Sequence, residues 1–366
     1  MRGMPPVKPL PRQLLPGPRR RVRLIAALAA TAVLSACGAR LTSGPAAHAL
    51  APPYPSTPGP RLAVGPDMVR ILPRGSTAFP VILQLISSAR TSVQVEMYEF
   101  GRSDLAGALV AAHHRGVAVT VIDDPSVDVT RATAAELRAQ GVDVIDYPVR
   151  KGMIDHVKLL IVDRRVAVVG GINWGASSDA NHDVDAEVTG PAAANLERVY
   201  LDDLVTCGRD AAEVPAQPDA ALFVASTLPG ADIRPLALHL IDSARSTLDL
   251  ELYVLTDTGI VHAVERAHDR GVRVRLLLDP SERPSDGPAA DLAAAGVDVR
   301  LYRSRGEKLH AKMGVADGHD VLFGSANWTS GGFERNHELD VEMPDAPGVA
   351  AQLTAMVDAD WAESAP

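Results

Sequence analysis

Aromatic residues and cysteines are both scarce in this sequence. Phe, Trp and Tyr together make up 4% of the 366 residues, so the chain has no obvious set of stacking platforms for unpaired bases. Two cysteines are present, and they are too few for a disulfide framework. Stability must therefore come from packed cores, which a hydrophobic content of 46% is sufficient to fill.

Positive charge is also limited. The chain has 36 Lys and Arg residues against 45 Asp and Glu residues, a formal net charge of −9. Residues 1–36 contain seven basic residues and no acidic ones, so their removal changes the formal charge to −16. A surface this acidic repels polyphosphate and weighs against a nucleic-acid partner. A locally positive cleft remains compatible with this balance.

Apolar runs long enough to span a membrane are not visible. Basic residues from Arg19 to Arg23 precede the apolar run Leu24 to Leu34, which is shorter than the roughly 20 residues of a membrane span but typical of a secretory signal. Residues Leu34 to Gly38 resemble a bacterial lipobox. We therefore expect residues 1–37 to be a signal peptide, and Cys37 to attach the exported protein by a lipid to the outer face of the bacterial cytoplasmic membrane. Secretion, an uncleaved signal anchor and twin-arginine export are alternatives.

An internal repeat organises the rest of the chain. Residues 38–66 are rich in Pro, Ala, Gly and Ser and predict a disordered tether. Beyond them, Leu85 to Phe100 aligns with Leu240 to Leu255 at an offset of 155 residues. An offset maintained over half of the chain indicates a duplicated fold unit. The sequence thus predicts a first domain at 67–214 and a second at 215–366.

Helix and strand patterns alternate within each unit. In the first unit, helices are predicted at Pro80 to Arg90, Asp104 to Arg115 and Thr130 to Gln140, where Pro80 opens the first helix and glycines follow the other two. Strands are predicted at Ser92 to Phe100, Val117 to Ile122 and Val142 to Tyr147. This alternation predicts an α/β fold with a largely parallel sheet.

The most unusual pattern runs from His156 to Trp174, HVKLLIVDRRVAVVGGINW, and returns at His310 to Trp328 as HAKMGVADGHDVLFGSANW. Each copy predicts two buried strands joined by a short turn. Because side chains alternate along a strand, His156 and Lys158 should project to the same side. A buried histidine beside a snorkelling lysine would explain one copy, but not two copies with polar residues at identical offsets.

These residues resemble the twin HKD motif of the phospholipase D superfamily, and the likeness extends from about Val69 to about Asp360. The matching positions are His156, Lys158, Asp163, Gly170, Gly171 and Asn173 in the first copy, then His310, Lys312, Asp317, Gly324, Ser325 and Asn327 in the second. The resemblance implies two duplicated α/β domains packed about a pseudo-two-fold axis, with the active site at their interface.

A polar cluster follows each motif, and the resemblance assigns one carboxylate in it to a catalytic histidine. The candidates are Asp183 and Glu338, and the first copy departs from the family by having the shorter Asp. The neighbouring acidic residues are predicted to be outer-face charges of a strand: Asp185, Glu187, Asp340 and Glu342.

Two histidines, two lysines and two asparagines can break a phosphodiester bond. One neutral imidazole attacks while the other donates a proton, and lysine and asparagine bind the phosphate oxygens. The resemblance implies that His156 is the nucleophile and His310 the acid and base, although these roles are exchangeable. Asp163 and Asp317 should hold the hairpin. The glycines should let backbone approach the phosphate, with the Ser325 hydroxyl as a further donor.

We expect no cofactor and no catalytic metal, because a lysine beside each histidine opposes a second cation. The leading hypothesis is a monomeric phospholipase D-like enzyme that hydrolyses phospholipid to phosphatidic acid through a phosphohistidine. A phosphatidyltransferase similar to cardiolipin synthases, a metal-independent nuclease and a non-catalytic lipid- or phosphate-binding lipoprotein are alternatives.

Overall fold

Two α/β halves, one from each copy of the repeat, make up the folded part of the chain. The computed structural model describes residues 58–228, 230–303 and 306–364. The predicted signal segment 1–37, with Cys37, and positions 38–57 of the predicted tether lie outside the described residues.

The first half contains four α-helices and nine strands among the described residues. In chain order they are β1 (Leu62–Val64), β2 (Asp67–Pro73), α1 (Gly75–Ser88), β3 (Ser92–Met97), α2 (Ser103–His114), β4 (Ala118–Asp123), α3 (Asp128–Ala139), β5 (Asp143–Asp146), β6 (Lys158–Val162), β7 (Val166–Gly170), β8 (Asn181–His182), β9 (Val184–Thr189) and α4 (Pro191–Thr206).

The second half repeats this order with small changes. Its elements are β10 (Phe223–Ser226), α5 (Ile233–Ser243), β11 (Thr247–Leu252), α6 (Thr258–Asp269), β12 (Arg273–Leu278), α7 (Asp286–Ala294), β13 (Asp298–Leu301), β14 (Lys308–Leu309), β15 (Lys312–Ala316), β16 (Asp320–Gly324), α8 (Ser330–Glu334), β17 (Leu339–Met343) and α9 (Pro347–Glu363).

Each half has its own mixed sheet. The strand orders are β1-β2-β9-β7-β6-β3-β4-β5 and β10-β17-β16-β15-β11-β12-β13. Within these two sheets the β3-β4-β5 and β11-β12-β13 pairs are parallel, and the remaining pairs are antiparallel. The short strands β8 and β14, one from each half, form a separate parallel pair. The α/β class is confirmed, but the prediction of a largely parallel sheet is wrong. Helical crossovers enforce parallel pairing only where they occur, whereas the motif strands turn back as hairpins.

The motif strands are buried on both faces, as their apolar sequence predicts. Along β6, Leu159 and Ile161 belong to a core that both halves share, while Leu160 and Val162 belong to the outer core of the first half. The shared core also takes residues from α4 and α9. The two halves are therefore joined through a common apolar layer, and each carries its own outer helices.

Two predicted boundaries differ from the structure. Helix α1 begins at Gly75, so Pro80 lies inside it rather than at its start. The turn before the proline is closed by the amides of Thr77 and Ala78, which donate to the Arg74 carbonyl at 3.2 and 3.0 Å. The predicted tether is also too long at its C-terminal end, because Leu62–Val64 pairs with β2 as an edge strand. By contrast, Gly116 and Gly141 follow α2 and α3 with φ of 87° and 86°, as predicted for terminal glycines.

The predicted domain boundary after residue 214 falls between α4 and β10. None of the helices in the described part of the chain has the length and apolar character needed to cross a membrane.

Candidate active site

Both motif histidines sit where one half meets the other. The backbone amide of His156 donates to the His337 carbonyl at 2.8 Å, and that of His310 donates to the His182 carbonyl at 2.7 Å. Strand β6 begins only at Lys158, and β15 only at Lys312. Each histidine thus precedes its strand instead of lying on it, because its main chain is bound to the opposite half.

The two candidate carboxylates also cross between halves. His156 Nδ1 lies 2.7 Å from Glu338 Oε2, and His310 Nδ1 lies 2.6 Å from Asp183 Oδ2. The carboxylates are fully buried and the imidazoles nearly so. An Nδ1–H that donates to a carboxylate leaves the Nε2 lone pair available for attack or proton transfer. The structure therefore brings together two oriented imidazoles, each held by the other repeat.

Residues beside the carboxylates compensate for their different lengths. In the first half, a Cβ added at Gly171 would overlap Asp183 Oδ1, so glycine leaves room for the shorter carboxylate. In the second half, the equivalent Ser325 donates its hydroxyl to Glu338 Oε2 at 2.7 Å. The Ser325 hydroxyl is thus occupied by Glu338, which differs from its predicted role as a phosphate donor.

The motif lysines are buried against their own histidines. Lys158 Nζ donates to the His156 carbonyl at 2.6 Å, and Lys312 Nζ donates to the His310 carbonyl and lies 2.9 Å from His310 Nδ1. Burial lowers the pKa of Lys158 to about 7 and that of Lys312 to about 8. Part of their charge is therefore suppressed until an anion enters, and a phosphodiester would restore it.

Burial and the two lysines also keep the imidazoles neutral. Burial first, then the Lys158 charge, lowers the pKa of His156 well below its ordinary value. Burial and the Lys312 charge lower the pKa of His310 to about 3. Burial raises the pKa of Glu338 to about 7 against the opposing lysine charges. A neutral imidazole is the form needed for nucleophilic attack, and an anionic substrate favours protonation of the second one.

The asparagines of the two motifs have different surroundings. Asn173 Nδ2 donates to Glu99 Oε2 at 3.1 Å, whereas the position equivalent to Glu99 is the apolar Val254. Both side-chain oxygens, Asn173 Oδ1 and Asn327 Oδ1, are buried without a hydrogen-bond partner. The amide of Asn327 is therefore the less constrained phosphate donor of the two.

Two tyrosines border the site and were missed as site residues. The Tyr98 ring lies 4.8 Å from the His156 ring in an edge-on arrangement, and the Tyr253 ring lies 4.8 Å from the His310 ring. Lys158 Nζ is 5.0 Å from the Tyr98 ring centroid. Their shared offset of 155 residues at the ends of paired strands was the signal available in the sequence.

Asp163 and Asp317 lie at the other ends of their strands, away from the lysines. Asp163 accepts the backbone amides of Arg90, Thr91 and Ser92 and the Thr91 hydroxyl. Asp317 accepts the equivalent amides of the second half. Both have φ near 50°, at 51° and 52°. Each carboxylate thus joins the hairpin turn to the preceding helix–strand connection.

The four remaining acidic residues are not the outer-face charges that the sequence predicts. All four predicted outer-face charges are buried: Asp185, Glu187, Asp340 and Glu342. Asp340 Oδ1 accepts the Ala326 amide at 3.0 Å, and Glu187 is paired with two arginines, Arg61 and Arg70. A Cβ at Gly170 or Gly324 would overlap these aspartates, Asp185 and Asp340. The glycines therefore admit buried carboxylates, and the contact of their backbone with phosphate stays a prediction.

Two buried groups among the described residues have ligand types suited to a metal ion. One is Glu96, Asp155 and His337, and the other is His182, Glu251 and Asp360. Neither includes His156 or His310, so both are distinct from the paired imidazoles.

Comparison with known proteins agrees with this geometry. The chain is 28% identical to cardiolipin synthase A of Pseudomonas aeruginosa, over 81% of this chain and 68% of the relative. It is 26% identical to cardiolipin synthase B of Escherichia coli, over 76% and 77%. The crystal structure of phosphatidylserine synthase from Haemophilus influenzae superposes with a TM-score of 0.59 at 13% identity, over 82% of this chain and 87% of that one, which shows a shared fold.

A family model described as "Cardiolipin synthase, PLD-like domain" matches residues 82–204 and again residues 237–361. These segments coincide with the two halves of the fold, and each contains one complete motif. The predicted resemblance is confirmed: the chain belongs to the phospholipase D superfamily and carries two copies of its catalytic domain.

Proposed function

We propose that this protein is a phosphatidyltransferase that moves a phosphatidyl group from one phospholipid to an alcohol. The two cross-repeat histidine–carboxylate pairs carry this proposal, because together they provide a nucleophile and an acid–base group around one phosphorus. The likeness to cardiolipin synthases supports an alcohol acceptor over water.

The first step forms a phosphohistidine. His156 Nε2 attacks phosphorus and the bond from phosphorus to the head-group oxygen breaks. His310 gives a proton to that oxygen, so the head group leaves as a neutral alcohol. Lys158 and Lys312 neutralise charge on the non-bridging oxygens, and Glu338 stabilises the positive charge that develops on the His156 ring.

The second step reverses the first with a new alcohol. The acceptor hydroxyl attacks phosphorus, His310 takes its proton, and the phosphorus–nitrogen bond breaks. A glycerol hydroxyl of a second phosphatidylglycerol would yield cardiolipin, whereas water would yield phosphatidic acid. Hydrolysis is thus the competing outcome of the same intermediate.

The test is an incubation of the purified full chain with phosphatidylglycerol in mixed micelles, without added metal, with and without ethanol. We expect cardiolipin and glycerol, and phosphatidylethanol when ethanol is present. His156→Ala should abolish all products, while His262→Ala, which changes an exposed histidine paired with Glu265, should behave like the unaltered protein. Phosphatidic acid alone would establish hydrolysis instead. Cleavage of plasmid DNA with inert lipid would replace the proposal by a nuclease.

We further propose that Cys37 holds the enzyme at the outer face of the bacterial cytoplasmic membrane. The lipobox-like Leu34 to Gly38 supports this placement, since a lipid anchor keeps the enzyme beside its substrate. Cys37→Ser should move the protein from the membrane fraction to the soluble exported fraction. Retention of Cys37→Ser in the membrane would contradict lipid attachment at this residue.

A further inference from the structure

A second polar cluster lies in the interior, directly behind the reacting residues. It consists of Glu96 on β3, Asp155, Asp203 on α4, and His337, all buried. His337 Nε2 lies 2.9 Å from Asp203 Oδ2 and 3.7 Å from Glu96 Oε1. Ligand atoms of Glu96, Asp155 and His337 all lie within 4.8 Å of one another. Glu96, Asp155 and His337 are therefore close enough to share one cation, and Asp203 adjoins them through His337.

The charges of this cluster do not balance. Three carboxyl groups face one imidazole, and in the described part of the chain the ion pairs of these carboxyls involve no lysine or arginine. Both oxygens of Glu96, a side chain with 0% exposure, lack any hydrogen-bond donor. Buried carboxylates are normally paired, hydrogen-bonded or bound to a metal. Without a cation, the group must take up protons, and burial together with the Asp203 charge accordingly raises the pKa of Glu96.

We propose that Glu96, Asp155 and His337 form a binding site for a divalent transition-metal cation such as Zn²⁺ or Mn²⁺, with Asp203 beside the His337 ring as a further carboxylate. Carboxylates and imidazole are ligands that both ions accept. Ligand atoms that share one ion at about 2.0–2.2 Å lie about 3–4 Å apart, which is similar to the separations around His337. This site is separate from the paired catalytic imidazoles and has no lysine beside its histidine.

A cavity borders the cluster on the side of Asp203. A cavity of about 380 Å³ is lined by Asp203, Tyr147 and Thr206, and the Tyr147 ring stacks on His337 with a centroid distance of 5.2 Å and an interplanar angle of 9°. A stacked ring fixes the orientation of a ligating imidazole, as neighbouring groups do around metal ligands. Asp203 thus borders a cavity, and the His337 ring is held in place by the stacked Tyr147 ring.

The second half contains an internal control. Its equivalent residues are Glu251, His182 and Asp360, but Leu309 replaces Asp155. His182 Nε2 lies 3.2 Å from Glu251 Oε2 and 3.0 Å from Asp360 Oδ2. Although burial lowers it, these two carboxylates raise the pKa of His182 to about 10. In the second half, one imidazolium is therefore paired with two carboxyl groups. In the first half, one imidazole faces three carboxyl groups.

The test is isothermal titration of the chelator-treated, desalted full chain with ZnCl₂ and MnCl₂. We expect one ion to bind per chain, and Asp155→Asn to lose it. The matched variant Glu251→Gln, in the cluster with Leu309, should bind like the unaltered protein, and so should His156→Ala, which removes a catalytic imidazole. Circular dichroism of each variant is recorded to test whether it is folded.

Two outcomes would overturn the proposal: no binding of either metal by the unaltered protein, or equal binding by Asp155→Asn. The first would mean that the carboxyl groups are neutralised by protons. Because folding of Asp155→Asn is not assured, Co²⁺ absorption of the unaltered protein provides a second measurement. Spectra of an imidazole- and carboxylate-bound Co²⁺ are expected, and an unchanged aqueous Co²⁺ spectrum would also refute the site. Neither readout depends on enzyme activity.

Discussion

Replacing Glu338 by Gln removes the charge that faces His156 while keeping the size of the side chain. Glu338 is fully buried and also accepts hydrogen bonds from Ser325 Oγ at 2.7 Å and Asn336 Nδ2 at 3.0 Å, so its position is fixed. We expect Glu338→Gln to fold and to lose transfer activity. The cause is a His156 ring that no longer has a carboxylate to hold its Nδ1 proton or to stabilise its positive charge.

The size of the loss follows from the contact. A 2.7 Å hydrogen bond between imidazole and a buried carboxylate is the arrangement whose conversion to an amide lowers turnover by up to about 10⁴-fold in hydrolases. We expect a decrease of about 10³-fold in kcat, which corresponds to about 4 kcal/mol of transition-state stabilisation. KM should change little, because Glu338 is buried behind His156.

The assay uses a p-nitrophenyl phosphodiester as well as phospholipid. Its leaving group departs as a stable anion and needs no proton, so the acid function of His310 is bypassed in the first step. Asp183→Asn, the matched variant on the His310 side, should therefore still give a burst of p-nitrophenol, whereas Glu338→Gln should give none.

A burst from Glu338→Gln but not from Asp183→Asn would reverse the roles of the two histidines. A Glu338→Gln rate within about tenfold of the unaltered enzyme would refute the orienting role of the carboxylate, since such pairs contribute far more.

Three further changes test other parts of the structure. Gly171→Ala should destabilise the fold by about 1–3 kcal/mol and lower the rate of transfer by displacing Asp183. The control Gly107→Ala, whose added Cβ has nothing within 4 Å, should do neither. Equal behaviour of the two variants in urea unfolding and in the activity assay would contradict this prediction. Asp163→Asn should lower the free energy of unfolding by about 1–3 kcal/mol with little change in rate per folded molecule, and the reverse result would place this residue in catalysis. Because the pKa of His310 falls to about 3 on folding, the unfolded chain binds one more proton below about pH 6.5. The free energy of unfolding of the unaltered protein, relative to that of His310→Asn, should thus fall by about 1.4 kcal/mol for each unit by which the pH is lowered from about 6 to 4. Parallel pH profiles of the two proteins in urea titrations would exclude the lowered pKa of His310.

Local sequence patterns were sufficient to predict the helices, the strands and the repeat. They were not sufficient to predict which strands pair over long distances in the chain. Helices α2 and α3 and the glycines after them follow from periodicity and end signals in the sequence. The antiparallel majority of each sheet depends on which strand lies beside the hairpin, and a strand pattern does not specify its neighbour.

For the site, too, the sequence shows the residues but not their contacts. The residue types of both motifs were visible in the sequence, yet it held no sign of which carboxylate faces which histidine, because the partners are 182 and 127 residues apart. Burial of Glu187 was missed for a related reason. Its arginines are Arg61, which immediately precedes β1, and Arg70 on β2. Alternation along a strand indicates a face without indicating what covers it.

The crossing of the two histidine–carboxylate pairs has an evolutionary consequence. Neither repeat can be active alone, so a single ancestral copy with this arrangement would have required a second copy to complete its site. After duplication, the two copies can diverge only in steps that preserve the other's partner, as the Asp183 and Gly171 combination and the Glu338 and Ser325 combination illustrate. A chain divided in the connection 207–222 should accordingly yield two inactive fragments whose co-expression restores activity.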